Sequence, residues 1–327
     1  MRILILGGTQ FVGRHFVEAA VARGHELTLF NRGSKPAPAG VAHQVVGDRN
    51  TDLARLAGRD FDAVLDTSAY VPRQVAEAAA ALEGAVGAYL LVSTISVYAD
   101  QLQACLTEDS ALLRLDDPST EEVDGATYGG LKVLCEAALA RVFPPERRLI
   151  VRPGIVVGPY DPTDRFTYWP VRVAHGGQVL GPAGPELALQ WIDGRDLADF
   201  MLGALERGVS GTYNAVSEAG RFRLGDVLAA AKRISGSSAT ITWVSEEFLL
   251  EHEVVPFGDL PFWLPGAAGN MFKVDSERAT AAGLRARSLE ETVADTLAWQ
   301  AERGDPALKV GLSAEREAEL LELWRQR

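Results

Sequence analysis

Tyr128 and Lys132 are the two residues whose types and spacing best suit proton transfer. They lie four positions apart near the start of a predicted helix, and residues four apart on a helix share one face. A free tyrosine titrates near pH ~10, and lowering that pKa to about 7 takes roughly 4 kcal/mol of preferential stabilisation of the phenolate. A neighbouring ammonium contributes to this because positive charge favours the phenolate. The spacing therefore predicts an acid/base group.

A glycine-rich turn joins the first predicted strand to the first predicted helix. Glycines at such a turn let the backbone approach a pyrophosphate, while the amino end of the helix faces the negative charge. A strand before the turn and an amphipathic helix after it are the context that dinucleotide binding requires. We therefore expect a nicotinamide dinucleotide here, whose oxidised ring would add positive charge near the phenol. The residues of the turn expected to contact it are Gly7, Thr9, Gln10, Phe11, Val12 and Gly13.

The segment after the second predicted strand favours NADP, with NAD as the alternative. An acidic residue there would bind the ribose hydroxyls of NAD and repel an extra phosphate. Asn31 and Arg32 offer no such repulsion, and Arg32 with Lys35 could hold a 2′-phosphate by charge-assisted hydrogen bonds. The alternative is a basic loop that points into solvent. Asp48, after the third predicted strand, either reaches the adenine amino group or is an idle loop carboxylate.

Composition narrows the class of partner. The chain has 327 residues, of which 47% are apolar and 23% charged, as in soluble proteins with a well-formed core. A net charge of −12 disfavours nucleic acids and anionic membranes as partners. Cys105 and Cys135 are too few for a disulfide framework, and no His/Cys cluster has the spacing of a zinc site. We expect no metal, an inert packed thiol at Cys135 rather than a reactive one, and a cytoplasmic location.

Apolar strand-like runs alternate with helical patterns through the first half, which predicts an α/β fold with a parallel sheet covered on both faces. The predicted strands cover residues 2–6, 26–30, 43–46, 63–66, 88–93 and 148–151. Predicted helices include residues 76–82 and 128–142, the second ended by two prolines.

Prolines and glycines after residue 153 predict an irregular segment. Residues 211–216 are predicted to form one more strand and residues 224–234 a helix, whereas residues 257–269 are predicted to be a loop or a lid. Leu320, Leu321, Leu323 and Trp324 give an amphipathic helix that we expect to dock on the domain rather than bind a partner.

Six features together carry a family resemblance: the glycine turn, Asp48, residues 93–98, Tyr128 with Lys132, Arg152-Pro153-Gly154, and residues 191–197. With these the chain resembles the extended branch of the short-chain dehydrogenase/reductase superfamily, which contains the NAD-dependent epimerase/dehydratase proteins. The resemblance implies a Rossmann doubly wound parallel sheet over residues 1–155, with later returns near 187–216. Residues 156–186 and 217–327 would form a small substrate-binding lobe and the carboxyl-terminal helices. The family commonly forms dimers through the helix that carries the tyrosine.

The resemblance also implies a role for individual residues. Tyr128 becomes the general acid/base, and Lys132 binds the nicotinamide ribose while it lowers the tyrosine pKa. Thr94 becomes the hydroxyl that hydrogen-bonds the substrate oxygen, with Ser96 as a second candidate. Two further residues at the cofactor are Ala69, which lines it, and Tyr70, which covers it. Position alone suggests as substrate contacts Tyr160, Arg165, Trp169 and Gln190.

Two departures from the family pattern bear on function. Gln10 replaces the middle glycine of the usual three, and the Gly-Gly-Thr-x-Phe pattern resembles an atypical subgroup that includes plastid RNA-associated proteins. Ile95 and Ser96 occupy the positions where sugar-nucleotide 4,6-dehydratases carry an Asp-Glu pair, which disfavours dehydratase chemistry.

The sequence leaves three candidate functions. The first is an NADP-dependent reductase or dehydrogenase of a small alcohol or ketone. The second is a sugar-nucleotide 4-epimerase, whose substrate diphosphate would need basic side chains such as Arg165, Arg172, Arg221 and Arg223. The third is a non-catalytic nucleotide-binding or RNA-binding scaffold, which retention of Thr94, Tyr128 and Lys132 disfavours. A cluster of lobe aromatics is either packing or a ligand cage: Phe166, Tyr168, Trp169 and Trp191.

Overall fold

The computed structural model describes residues 1–100, 102–103 and 105–327. Its strands are β1 (Arg2–Leu6), β2 (Glu26–Asn31), β3 (His43–Val46), β4 (Phe61–Asp66), β5 (Val86–Val92), β6 (Arg148–Pro153), β7 (Val156–Val157), β8 (Gln178–Pro182), β9 (Ala188–Leu189), β10 (Ile192–Asp193), β11 (Gly211–Ala215), β12 (Phe222–Arg223) and β13 (Thr240–Val244).

The helices alternate with these strands in the first half and dominate the last third. They are α1 (Phe11–Ala22), α2 (Pro72–Leu82), α3 (Tyr128–Val142), α4 (Tyr168–Ala174), α5 (Gly194–Glu206), α6 (Leu224–Ser235), α7 (Glu246–Glu251), α8 (Glu277–Ala281), α9 (Leu289–Glu302) and α10 (Ala314–Arg325). Short segments of 3-10 helix cover Leu53–Leu56, Ile95–Val97, Pro145–Arg147 and Gly266–Phe272.

A seven-stranded sheet forms the centre, in the order β11-β6-β5-β4-β1-β2-β3. Every pair in it is parallel. Parallel neighbours need crossover connections, and α1, α2, α3 and α5 cover the two faces of the sheet. The strand order reverses between β1 and β4, and in Rossmann folds ligands bind at such a reversal, outside the carboxyl ends of the strands. The predicted α/β Rossmann class is confirmed.

Apolar strands buried on both faces explain why the sheet could be predicted from sequence. The predicted strand and helix boundaries agree within two residues for most elements, and α3 covers the predicted residues Tyr128–Val142. β4 and β5 begin earlier than predicted, at Phe61 and Val86.

The prediction that residues after 153 are irregular is wrong in part. β8 forms a five-residue parallel pair with β13, and α4 is a regular helix. Proline is tolerated at both places because Pro182 is the last residue of β8 and Pro170 lies in the first turn of α4.

The lobe has a core of its own, built largely from aromatic rings. Trp169, Trp191, Trp263 and Phe262 are 0–2% exposed and belong to one cluster with Leu320 of α10. The predicted docking of the last helix on the domain is therefore confirmed. Residues 257–269 supply buried members of that core, which supports the loop of the two predicted alternatives, whereas the lid stays untested. The predicted boundary near residue 155 stays a prediction.

Within the part of the chain that the structure describes, no helix has both the length and the apolar character to cross a membrane.

Candidate active site

A cleft of about 540 Å³ opens at the carboxyl ends of β1, β2, β3 and β4. This is where the strand order reverses, and a volume of this size is typical of small-molecule and cofactor sites. Its lining residues are Gly7, Gly8, Thr9, Gln10, Phe11, Val12, Gly13, Phe30, Asn31, Arg32, Ser34, Gly47, Asp48, Arg49, Asn50, Thr67, Ser68, Tyr70, Gln74 and Pro162. All six residues predicted from the glycine turn are among them.

Gly7 shows why the turn needs glycine. Its φ of +112° is a conformation that side chains strain, and a Cβ there would lie 2.7 Å from Thr67 Oγ1 at the end of β4. The Gly7 amide also donates to the Phe30 carbonyl at 3.0 Å, which ties the turn to β2. The turn therefore has no room for a side chain at position 7. An open groove lies before the amino end of α1. That shape suits a pyrophosphate.

Of the residues at and after the end of β2, one holds the loop and another lines the cleft. The Asn31 amide donates to the Gly7 carbonyl at 3.1 Å and its oxygen accepts from the Gly33 amide at 3.0 Å, so this side chain holds the loop. Arg32 is exposed and lines the cleft. Lys35 is exposed and is not among the lining residues, which separates it from the predicted phosphate site.

Asp48 lies at the cleft, as predicted. Its Oδ1 accepts from the Asn50 backbone amide at 2.8 Å and from the Asn50 side-chain amide at 2.7 Å. These bonds, with a smaller effect of Arg32, lower the pKa of Asp48, so the carboxylate is charged at neutral pH. A charged acceptor here can receive the amino group of an adenine ring.

Thr94, Tyr128 and Lys132 meet at the carboxyl ends of β4 and β5. The Thr94 hydroxyl lies near enough to the Tyr128 phenol to act on its pKa. Thr94 caps the 3-10 turn Ile95–Val97 and its hydroxyl donates to Ser96 Oγ at 3.2 Å. The Lys132 amine donates to the carbonyls of Ala69, at 2.9 Å, and Val92, at 2.7 Å. The residues that sequence spacing and resemblance selected are thus brought together.

Without a dinucleotide, the pKa of Tyr128 is raised rather than lowered, so the predicted lowering by Lys132 and an oxidised nicotinamide stays a prediction. Burial raises the pKa of Tyr128, Tyr70 adds to this rise, and the nearby Thr94 hydroxyl only partly opposes it. The Tyr70 and Tyr128 ring centroids are 6.5 Å apart, and Tyr70 is 51% exposed. The amine of Lys132 is bonded to two backbone carbonyls instead, because its side chain reaches down to the strand ends.

Gly129, next to the tyrosine, allows an unusually close contact. A Cβ there would lie 2.1 Å from the Ser96 carbonyl oxygen and 2.8 Å from Leu113 Cδ1. α3 therefore begins directly against the turn that carries Thr94. A side chain at position 129 would push α3 away from this turn.

Two of the four predicted substrate contacts are corrected. Trp169 is fully buried in the lobe core and its indole N–H donates to the Pro261 carbonyl at 2.8 Å. Gln190 is 3% exposed, and its amide donates to the carbonyls of Ser217 and Val274. Both side chains hold the lobe together because their polar atoms are bonded to its backbone.

The other two predicted contacts are half-buried. The Arg14 guanidinium carbon lies 3.7 Å from the centroid of the Tyr160 ring. The ring centroids of Tyr160 and His15 are 5.1 Å apart. Tyr160 therefore belongs to a cluster at the start of α1. The Arg165 guanidinium lies 5.0 Å from the ring centroid of Phe257.

Sequence reasoning assigned no role to four buried charged residues below the catalytic group, although it named Arg152 among the family features. They form two ion pairs, Arg49 with Asp66 and Arg152 with Glu136. Arg49 lines the cleft, but both of its Nη atoms are already bonded to protein groups. One local signal was available, since Glu136 follows Lys132 by four residues and so shares its helix face.

The described residues contain no group of three or more His, Cys, Asp or Glu side chains able to hold a metal. Cys135 is buried, and burial raises its pKa to about 11, so it is a protonated thiol at neutral pH. This agrees with the inert packed thiol that the sequence predicted.

Sequence comparison gives two informative relatives. Epimerase family protein SDR39U1 of Bos taurus is 29% identical over 236 residues, 67% of this chain and 75% of the bovine protein. The chloroplast stem-loop binding protein of 41 kDa b of Arabidopsis thaliana is 38% identical over 58 residues, 18% of this chain and 14% of that protein.

Solved structures share the fold along almost the whole chain. UDP-glucuronic acid 4-epimerase of Bacillus cereus, in complex with NAD, has a TM-score of 0.65 at 18% identity and covers 94% of this chain and 99% of its own. UDP-glucose 4-epimerase of Bifidobacterium longum, in complex with NAD+ and UDP, has a TM-score of 0.64 at 16% identity, with 93% and 99% covered. Likeness at this identity shows the fold.

The family model described as "NAD dependent epimerase/dehydratase family" matches residues 3–216, from β1 past the end of β11. The matched range contains the glycine turn, Asp48, Thr94, Tyr128 and Lys132. With the sheet order and the cleft described above, the match means that this chain belongs to the NAD-dependent epimerase/dehydratase family, within the extended short-chain dehydrogenase/reductase superfamily.

Proposed function

We propose that this chain is an NAD(P)-dependent oxidoreductase that transfers hydride between a nicotinamide and a secondary alcohol or ketone. The observation that carries the proposal is the proximity of the Thr94 and Tyr128 hydroxyls, on the same edge of the sheet as the glycine cleft. The Lys132 amine lies at the adjoining ends of β4 and β5. An acid/base hydroxyl, a second hydroxyl and a dinucleotide cleft are what this chemistry needs.

The roles of the protein groups follow from their positions. When bound, the nicotinamide supplies a carbon that accepts or donates hydride. Tyr128 takes the proton of a substrate hydroxyl in oxidation and returns it to a ketone oxygen in reduction. Thr94 hydrogen-bonds the same oxygen and stabilises negative charge on it. Burial raises the pKa of Tyr128, so at neutral pH the phenol holds the proton that it would donate to a ketone oxygen.

We further propose NADP as the preferred cofactor, with NAD as the alternative. Arg32 lines the cleft and is exposed, so it can meet a 2′-phosphate, while Asn31 carries no charge that would repel one. The alternative has support from the solved relatives described with NAD. Arg49 is excluded from this role because both Nη atoms are already bonded.

The first test is dinucleotide binding. Purified protein is titrated with NADPH and, separately, with NADH, and the reduced-nicotinamide fluorescence is followed. We expect NADPH to bind about tenfold more tightly, since one charge-assisted contact is worth that much. Binding of neither would contradict the proposal and favour the scaffold.

The second test is Tyr128→Phe, assayed against a panel of small ketones with NADPH. Loss of the acid/base group should lower turnover by roughly 10² to 10⁴. Dinucleotide affinity should change by less than about twofold, because the ring stays in place. Unchanged turnover would remove Tyr128 from the mechanism.

A sugar-nucleotide 4-epimerase is the second candidate, supported by the names of the solved relatives. Against it, three of the arginines available for a diphosphate are bonded to protein groups. Arg172 pairs with Glu317, Arg223 pairs with Glu186, and Arg221 donates to carbonyls at residues 286 and 287. An epimerase should also purify with its dinucleotide bound, whereas a reductase must exchange it.

The scaffold alternative has the stem-loop binding protein of Arabidopsis as its support, through a match of 58 residues. The net charge of −12 works against nucleic-acid binding. A small-molecule substrate, a homodimer through α3 and a cytoplasmic location stay predictions from the sequence.

A further inference from the structure

The Lys132 amine is buried without a charged group as its hydrogen-bond acceptor. The residue is 3% exposed, and the acceptors are the Ala69 and Val92 carbonyls. Burial favours the neutral form of an amine, so a buried ammonium needs negative charge nearby to stay protonated. Two buried ion pairs on either side of the amine supply candidates for that charge.

The first ion pair lies at the end of β4. Asp66 is the last residue of that strand, three positions before Ala69, and it pairs across the ladder with Leu91, the neighbour of Val92. Its two oxygens accept from Arg49 at 2.8 and 2.9 Å. The Tyr89 hydroxyl adds a third bond at 2.8 Å. The carboxylate is therefore fixed beside both acceptors of the amine.

The second ion pair lies one helical turn along α3. Glu136 follows Lys132 by four residues, on the face that also carries Tyr128. Its oxygens accept from Arg152 of β6 at 3.0 and 2.7 Å, and from the Ser93 hydroxyl at 2.5 Å. Both charged residues are at most 6% exposed.

The charges act on the amine in opposite directions. Burial lowers the pKa of Lys132, Asp66 and Glu136 raise it, and Arg49 lowers it. Cys135 also raises it as a thiolate, but this thiol is protonated below pH of about 11. The charged and titratable groups that the packed elements bring to this place are Tyr128, Cys135 and Glu136 of α3, Asp66 of β4, Tyr89 of β5, Arg152 of β6 and Arg49 after β3.

We propose that Asp66 and Glu136 are positioning residues that keep the Lys132 amine protonated, and that each is held for this task by its own arginine. The effect on turnover rests on the proposed function, in which a charged Lys132 holds the nicotinamide ribose. The charge state of the amine does not rest on it.

The test titrates the amine directly. The chain has five lysines (Lys35, Lys132, Lys232, Lys273 and Lys309), so in protein labelled with [13Cε]lysine each gives a resolvable NMR signal. Lys132→Arg identifies the signal of interest by its loss. Glu136→Gln and Asp66→Asn each remove a negative charge, so the midpoint of Lys132 should move to lower pH. Arg49→Gln removes a positive charge, so the midpoint should move to higher pH.

The Lys132 midpoint should move in opposite directions in Glu136→Gln and Arg49→Gln, and this separates an electrostatic role from a structural one. Loosened packing would let water reach the amine and move the midpoint upward in every variant. Glu136→Asp keeps the charge and should restore the midpoint towards that of the unaltered chain. If Asp66→Asn does not fold, Glu136→Gln against Arg49→Gln still decides the question. An unchanged or raised midpoint in Glu136→Gln overturns the proposal.

Turnover measured on the same variants keeps the two proposals apart. We expect the ratio of turnover at pH 9 to that at pH 7 to fall in Glu136→Gln, by at most about sixfold for a one-unit fall in the pKa of the amine. Midpoints that move as expected in a chain without any turnover would sustain this inference and defeat the proposed function. Turnover in variants whose Lys132 midpoint does not move would sustain the proposed function and defeat this inference.

Discussion

The region beneath the catalytic residues and the core of the lobe differ in what their buried groups surround. Beneath Tyr128 and Lys132 the sheet edge buries Asp66 and Glu136, each paired with an arginine. The lobe also buries carboxylates paired with arginines, Glu317 with Arg172 and Asp164 with Arg303, but its core is filled by tryptophan and phenylalanine rings. A buried ion pair therefore does not by itself mark the reactive region, since such pairs also occur in structural cores. What distinguishes the pairs beneath the cleft is the buried Lys132 amine on which they act.

Ring geometry in the lobe agrees with this division. Trp191 stacks on Phe222 with ring centroids 4.1 Å apart and planes at 3°, and Phe166 approaches Trp191 at 5.1 Å. These rings pack against one another. Of the two roles left open for this aromatic cluster, the structure therefore supports packing over a ligand cage.

The largest expected effect comes from emptying the lobe core. Trp191→Ala should lower the free energy of unfolding by about 3–5 kcal/mol, since a buried tryptophan leaves a large cavity. Urea unfolding measures this, with Trp243→Ala, at a half-buried position, as the milder control. Dinucleotide affinity of the folded protein should stay within about twofold. A raised substrate KM with stability intact would revive the ligand cage.

A smaller effect is expected from crowding the cleft. In Gly7→Ala the positive φ alone costs about 1–2 kcal/mol, and the added methyl also meets Thr67. We expect dinucleotide affinity to fall at least about tenfold. Gly58→Ala is the matched control, because Gly58 has a φ of +73° with nothing within 4 Å of the added Cβ. Equal losses of affinity in both variants would disprove the steric account.

The smallest effect should come from the loop after β2. Arg32→Gln removes one charge-assisted contact and should weaken NADPH binding by about tenfold while NADH binding is kept. Lys35→Gln should change neither by more than about twofold, since Lys35 is not among the residues that line the cleft. Isothermal titration of the two dinucleotides compares the variants. An equal loss for NADH would contradict a contact with the 2′-phosphate.

Local patterns carried the predictions that succeeded. The sheet and α3 follow from apolar periodicity and from Pro144, and the site followed from residues close in sequence, such as Tyr128 with Lys132. The buried ion pairs were missed because their partners lie 16 and 17 residues apart and meet only after the strands align. Trp169 was misassigned because the direction of a side chain in the lobe depends on packing that no local pattern encodes.

Gly129 has a consequence for anyone who alters this protein. A side chain at position 129 would collide with the Ser96 carbonyl oxygen, so the close approach of α3 to the turn after Thr94 depends on a residue that has no chemistry of its own. Combinatorial libraries aimed at new substrates should leave position 129 untouched, and a loss of function there would look like damage to Thr94 or Tyr128 although both are present.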